Sequence, residues 1–189
     1  VTAGGKGYDL EEPFFVLATQ NPIEQEGTYP LPEAQLDRFM FNLKIDYPSN
    51  EDEISIVRKT TTEEKEKTNP AMTQHEITEY QNLVKRVPVA DNVVNYAVKI
   101  VSATRPSSSP LDFVKESVDW GAGPRASQYL ILAAKAKAIL DGRPTPDIKD
   151  VQSLVAPILR HRVLPNFNAE AEGLKIEDIL DKLLVSIPE

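Results

Sequence analysis

Three residues in this 189-residue chain have the type and setting to do chemistry: Asn21, Arg38 and Arg125. Asn21 ends the polar triplet Thr19-Gln20-Asn21, which follows the unbroken apolar run 14–18. Apolar residues without alternation predict a strand buried on both faces, as in a parallel α/β sheet. Ligands of such sheets bind just beyond the carboxyl ends of the strands, so the triplet is a candidate ligand contact. The Asn21 amide offers a neutral donor and acceptor there, although asparagine before Pro22 also suits the start of a simple loop. Arg38 lies in Asp37-Arg38-Phe39, at the end of a short helix expected around 33–38. The residues alone allow an ion pair with Asp37 or Glu33, or a cation welcomed by a helix C-terminus, as readily as a catalytic guanidinium. Arg125 follows Gly123-Pro124, a pattern that puts proline at the first helical position and the arginine in the first turn. The helix dipole disfavours a cation at that end by about 0.3–1 kcal/mol. Something anionic must compensate, either a phosphate arriving at the helix end or a nearby Asp or Glu.

The elements that would position these residues change character near Tyr47-Pro48-Ser49-Asn50. Before it, strand-like segments at 14–19 and 40–45 flank the short helix; after it the pattern is almost wholly helical. We therefore divide the chain into an α/β portion, 1–47, and an all-α portion, 48–189. Gly4-Gly5-Lys6-Gly7 reads as a hairpin turn between Val1-Thr2 and Tyr8-Asp9-Leu10, because glycine pairs favour tight turns. Ser49 or Asn50 can cap a helix whose first turn is Glu51-Asp52-Glu53, with Ile54 and Val57 facing inward. Polar residues 61–70 read as a linker. Thr73 and Glu76 form a capping-box pattern that opens a helix with Ile77, Tyr80, Leu83 and Val84 at helical spacing and closes before Pro88. Asp91 can cap the next helix, with a stripe of Val94, Ala97, Val98 and Val101, and 105–110 is a loop. A helix from Pro124 to about Leu140 carries Ala126, Leu130, Ala133, Ala136 and Leu140 and ends before Gly142. Thr145-Pro146 reads as the cap and first residue of a helix with Val151, Leu154, Val155 and Ile158. A last helix, about 176–185, presents Ile179, Leu180, Leu183 and Leu184.

Composition excludes several classes. With 41% apolar residues the chain can bury a sizeable core, and no apolar run approaches the roughly 20 residues needed to span a bilayer. The absence of cysteine rules out disulfides and thiolate metal sites and fits a cytoplasmic setting. A net charge of −8 argues against general nucleic-acid binding, although Arg160-His161-Arg162 could form a local basic patch. The only histidines, His75 and His161, have no Cys, Asp or Glu cluster that would make a metal site. His75 suits a solvent-facing helix start, His161 a helix C-terminus where a cation complements the dipole. Trp120 reads as a core anchor. The loop 24–32, rich in acids, Gly and Pro, could face a substrate or a subunit contact.

The stretch Leu17-Ala18-Thr19-Gln20-Asn21-Pro22 through Leu36-Asp37-Arg38-Phe39 resembles the MoxR family of AAA+ ATPases, in their sensor 1 strand and arginine-finger helix. The likeness continues through Gly123-Pro124-Arg125-Ala126-Ser127, which is similar to the family's sensor 2 motif, and Leu159-Arg160-His161-Arg162-Val163. It implies the end of an α/β nucleotide domain followed by a helical lid. It further implies that Asn21 orients the attacking water or touches the γ-phosphate, that Arg38 acts in trans on a neighbour's ATP, and that Arg125 closes from the lid on the nucleotide. ATP and Mg²⁺, a homo-oligomeric ring of six copies, chaperone-like maturation of client proteins and a partner with a von Willebrand factor A domain come with the resemblance. Gly4-Gly5-Lys6-Gly7 lacks the hydroxyl and spacing of a phosphate-binding P-loop, and no hydrophobic run ends in Asp-Glu. The chain is accordingly expected to be the carboxyl portion of such an ATPase, inactive alone. Two other readings stay open: a helical protein-interaction module without nucleotide chemistry, and a magnesium-chelatase or helicase type AAA+ ATPase.

Overall fold

The computed structural model describes residues 1–20, 31–62 and 69–188. Its helices are α1 (Glu33–Leu36), α2 (Asn50–Thr60), α3 (Gln74–Arg86), α4 (Asp91–Ala103), α5 (Asp112–Ser117), α6 (Pro124–Leu140), α7 (Ile148–Leu159), α8 (Phe167–Ala171) and α9 (Ile176–Ser186). The strands are β1 (Thr2–Ala3), β2 (Lys6–Gly7), β3 (Val118–Trp120) and β4 (Leu164–Pro165). The chain divides into two compact units, one of Val1–Phe15 with Leu43–Tyr80, the other of Val16–Asn42 with Gln81–Glu189.

In the first unit, β1 and β2 pair antiparallel, Thr2 opposite Gly7 and Ala3 opposite Lys6. The connecting Gly4 and Gly5 have φ of 58° and 80°. Two successive left-handed residues are what a tight hairpin turn demands and what glycine supplies at little cost. The expected hairpin forms, with its turn at Gly4-Gly5. Helix α2 is capped by Ser49, whose hydroxyl accepts from the Asp52 N–H at 3.2 Å, and its first turn carries three carboxylates. Ile54 and Val57, expected to face inward, are instead 53% and 54% exposed, and α2 buries no residue. Its ends are held locally: the Thr60 and Thr61 hydroxyls donate to the carbonyls of Ile56 and Val57. Of the expected linker 61–70, residues 63–68 lie outside the described residues. The capping box of α3 is present, with Thr73 N–H donating to the Glu76 carboxylate at 2.7 Å and Glu76 N–H to the Thr73 hydroxyl at 3.2 Å. Within α3, Ile77 and Val84 are half-buried, while Tyr80 and Leu83 are exposed.

The strands expected at 14–19 and 40–45 do not form. Phe15, Leu17, Leu43 and Ile45 are 72–93% exposed. A strand is stable only beside a neighbour that takes up its N–H and C=O groups, and among the described residues none pairs with these segments.

The second unit holds the core, formed by α4, α6, α7 and α9 around Ile100, Leu130, Val155, Ile158, Leu180 and Leu183. Helix α6 packs Ala126, Ala133, Ala134 and Ala138 inward, small side chains that let neighbouring backbones approach closely. Of its expected stripe, Leu140 is 86% exposed. It ends in a Schellman motif, with Gly142 at φ 71° and the Arg143 N–H reaching the Ala138 carbonyl at 2.7 Å. The cap of α7 is Asp147 rather than Thr145: Asp147 accepts from the Asp150 N–H at 3.1 Å, and Asp150 accepts from the Asp147 N–H at 2.9 Å. Thr145 instead donates to the Pro88 carbonyl. Helix α4 buries Val93, Tyr96, Ala97, Ile100 and Val101, so its inward face is turned from the expected one, and Val94 and Val98 are exposed. Adjacent valines at 93 and 94 fit either frame; Tyr96 and Ile100 decide it. Asp91 is the first helical residue of α4 and makes no side-chain cap. β3 and β4 pair antiparallel with an irregularity between Val118 and Trp120. Trp120, expected in the core, is 66% exposed.

Gly121 explains how the start of α6 is placed. A Cβ there would stand 2.4 Å from the Thr104 carbonyl oxygen, so only glycine allows the chain to run against the end of α4. The Thr104 hydroxyl accepts from the Ala122 N–H at 2.9 Å and donates to Val101 O, and Arg105 Nε donates to Ala122 O at 2.9 Å. These bonds fix the entry into α6, and with it Arg125.

Candidate functional site

All the described parts of the site lie in the second unit. After α1 the chain tightens into a turn in which the N–H groups of Arg38 and Phe39 reach the carbonyls of Gln35 and Leu36 at 3.1 and 3.0 Å. The four carbonyls of 37–40 are then all engaged from the helical side. Arg162 Nη2 donates to the carbonyls of Asp37 (2.8 Å) and Phe39, and its Nη1 donates to that of Met40 at 3.3 Å. The Tyr129 hydroxyl donates to the Arg38 carbonyl at 3.1 Å. His161 Nε2 lies 3.1 Å from the Phe39 carbonyl and, facing an acceptor, carries the proton. Beyond, the Asn42 N–H donates to Pro157 O at 2.8 Å, and Arg160 Nη1 donates to Asn42 O at 3.2 Å.

One carboxylate organises the charges. Asp37 receives Arg162 Nε on one oxygen at 2.9 Å and Arg125 Nη1 on the other. The two arginines differ in setting. The Arg162 side chain is 1% exposed, and its guanidinium lies 5.1 Å from the Tyr129 ring centroid. The Arg125 side chain is 41% exposed. Burial pushes the Arg162 pKa below the ordinary guanidinium value, against the pull of Asp37; an arginine nonetheless stays charged. A buried guanidinium requires this full set of acceptors, because an unpaired buried charge costs several kcal/mol or more. Burial, followed by the nearby Arg162 charge, lowers the His161 pKa, so the imidazole is neutral near pH 7. The dipole-complementing cation expected at His161 is therefore absent, and the expected basic patch at 160–162 does not form, because Arg162 turns inward.

Of the three candidate residues, Arg125 bonds Asp37, the sequence neighbour of Arg38, while the Arg38 side chain does not join them, and Asn21 lies outside the described residues. So does all of the acidic loop 24–32 except Leu31 and Pro32. Arg38 is exposed, and its guanidinium has no partner among the described residues, although Asp37 is its neighbour in sequence. The anion demanded by Arg125 at the α6 N-terminus is Asp37 here, one of the two compensations open from sequence. Gly123 offers that helix end no side-chain cap. Sequence reasoning missed Asp37, Tyr129 and Arg162. A signal for Arg162 exists: the inward stripe Val151, Val155, Ile158 and Leu159 continues to 162 at helical spacing, which places an arginine on a buried face. His75 is 81% exposed, with Nδ1 3.6 Å from Glu79. Among the described residues no three His, Asp or Glu side chains are grouped to hold a metal, and no helix is long and apolar enough to cross a membrane.

Residues 1–41 match the family described as "ATPase family associated with various cellular activities (AAA)", and residues 112–183 match the "AAA lid domain". The chain is 37% identical to chaperone MoxR1 of Mycobacterium tuberculosis, over all of this chain and 51% of that protein. It is 38% identical to YeaC of Bacillus subtilis, an uncharacterized protein, over 99% of this chain and 56% of the relative. Protein MoxR of Paracoccus denitrificans is 27% identical over 92% of this chain and 55% of its own length. The crystal structure of a putative ATPase from Cytophaga hutchinsonii superposes on the whole chain with a TM-score of 0.91 at 35% identity, and 58% of that structure is covered. The chain thus has the fold of the AAA-type ATPases, the end of a nucleotide domain followed by a helical lid. Within that class it is similar over its whole length to MoxR proteins, and it spans about half the length of the curated relatives it matches.

Proposed function

We propose that the full-length protein carrying this segment hydrolyses ATP in an oligomeric ring, and that Arg38 is its arginine finger, acting on the nucleotide of a neighbouring subunit. The observation that carries this reading is an exposed guanidinium, without a partner among the described residues, on a turn whose four carbonyls are held. A finger needs a permanent planar cation on a support that does not yield when phosphoryl charge develops. Arg125 takes the sensor 2 role: at the positive end of α6, with no side-chain cap beside it, a phosphate competes with Asp37 for the same guanidinium. Asn21 takes the sensor 1 role. In this proposal residues 1–47 end the α/β nucleotide domain and 48–189 form the lid. Mg²⁺ and most of the ATP contacts belong to the part of the protein outside this segment, which by itself is inactive. The ring is a hexamer in the cytoplasm, and its work is chaperone-like remodelling of a client, alongside a partner with a von Willebrand factor A domain.

One observation favours the interaction-module reading: Arg125 already has a carboxylate partner in Asp37. Steady-state ATPase and ATP binding of the full-length protein, with and without Arg38→Ala, separate the two. The finger reading expects binding to survive and turnover to fall by about 10³–10⁵, with partial rescue in rings mixed with wild-type subunits. Unchanged turnover would make Arg38 structural.

A further inference from the structure

We infer that Arg162 and Tyr129 are positioning residues for Arg38: together they fix the backbone on which that guanidinium is presented. The inference rests on the reading of Arg38 as the finger. Arg162 alone spans the turn, reaching the carbonyls of Asp37, Phe39 and Met40, two of them adjacent to Arg38 and one beyond, besides the Asp37 carboxylate. The one carbonyl of 37–40 that it does not take is that of Arg38 itself, and Tyr129 takes it. Tyr129 also presents its ring to the Arg162 guanidinium, so the two residues form one unit. They come from different helical segments, Tyr129 from the second turn of α6 and Arg162 from just past α7, and both elements are set in the core. The turn is therefore referenced to the rigid interior of the lid rather than to its own short α1, which buries nothing.

A buried arginine that merely filled space would need acceptors from anywhere. Here most of its acceptors come from the residues flanking one exposed arginine, and the shared carboxylate ties the same turn to Arg125. Lysine is no substitute, since a point charge on a flexible stem does not reproduce a planar fork that bonds several carbonyls at once. Placement errors near 1 Å are enough to cost about 100-fold in rate. Tyr129 bonds the Arg38 carbonyl and stacks on Arg162 without touching Asp37, so its effect on the turn is the more separable from the Arg125 contact to nucleotide.

The test uses the full-length ring and reads kcat and KM for ATP separately. Tyr129→Phe removes one hydroxyl and little volume; it is expected to lower kcat about 3- to 10-fold, the weight of one hydrogen bond, with KM for ATP within about twofold. Arg162→Lys is expected to lower kcat about 100-fold without restoring function through its charge. In an Arg38→Ala background neither substitution should reduce turnover further, because the group they position is gone. If Arg162→Lys does not assemble, Tyr129→Phe and its double variant decide. Unchanged kcat in Tyr129→Phe, or a loss that persists in full in the Arg38→Ala background, would overturn the inference. Failure of the finger reading looks different: Arg38→Ala alone would then leave turnover intact.

Discussion

Helices α2 and α7 have similar lengths and sequence signals, yet one buries nothing and the other anchors the core. Both open on a side-chain cap with acid in the first turn, three carboxylates in α2 and one in α7, and both carry aliphatic residues at helical spacing. In α2 the aliphatic face is half exposed; in α7 Val151, Val155, Ile158 and Leu159 are fully buried. Caps and propensity determine where a helix begins and ends, whereas most of its stability comes from the surface it finds to pack against. The two helices therefore depend on different interactions, and substitutions should separate them.

The largest separation is expected in the core. Leu130→Ala removes a fully buried side chain from α6 and should cost about 3–5 kcal/mol, read as a fall in the denaturant midpoint of the 189-residue chain. Ile54→Ala in α2, at 53% exposure, should cost less than about 1 kcal/mol by the same measurement. Equal losses would mean that α2 is as well packed as α6, which would break the comparison.

Gly121→Ala should come next, at about 1–3 kcal/mol. Its Cβ would meet the Thr104 carbonyl, a backbone atom that moves only with the end of α4. Because the same segment leads into Arg125, the substitution should also disturb the α6 N-terminus, visible as shifted amide resonances for 122–126. Stability unchanged within error would show that α4 yields there.

Asp150 tests whether the cap of α7 is more than a local device. Its side chain is 4% exposed and takes both Arg143 Nη atoms, at 2.8 and 2.6 Å, while capping the Asp147 N–H. Those hydrogen bonds, Arg143's first among them, hold its carboxyl below the usual carboxylate range. A depressed pKa contributes stability above the unfolded value near 3.9, and that contribution is lost as pH falls through the folded pKa. Asp150→Asn should therefore cost about 2 kcal/mol at pH 7, and the gap between variant and parent should narrow steadily as melts are taken at pH values further below about 3.9. A gap that persists in acid would mean that the loss is one of packing rather than charge.

Much of the helical part was legible because its signals are local. Pro124 and Gly142 bracket α6, and Thr73 with Glu76 opens α3, each through neighbours three or four residues away. The short elements α5, β3, β4 and α8 lack the length to show a period. The strands at 14–19 and 40–45 illustrate the opposite limit, since an apolar run states what it would bury but cannot supply the neighbour. At the site, Arg38 and Arg125 were legible as residues, but what ties the turn of Arg38 to Arg125 was not. Asp37 meets Arg125 across 88 positions and Arg162 across 125, and no local pattern encodes contacts at that range. Only the buried spacing of 162 hinted at them.

The smallest expected effect sharpens the comparison from the other side. Thr73 supplies two bonds to the Glu76 carboxylate, one from its N–H and one from its hydroxyl, both at 2.7 Å. The N–H bond is the first cause of the lowered Glu76 pKa, the hydroxyl bond the second. Thr73→Ala removes the hydroxyl and leaves the N–H, so the Glu76 pKa should rise part of the way back toward an ordinary glutamate and remain below it. Helix stability should fall by about 1 kcal/mol, the usual weight of a lost N-cap. Because no residue of α3 is fully buried, that loss should appear as faster amide exchange in the first turn of α3, with the melting of the core unchanged. If the whole chain instead lost stability in step with the first turn, α3 would be tied to the core as firmly as α7 is, and caps and packing would not be separable in this protein.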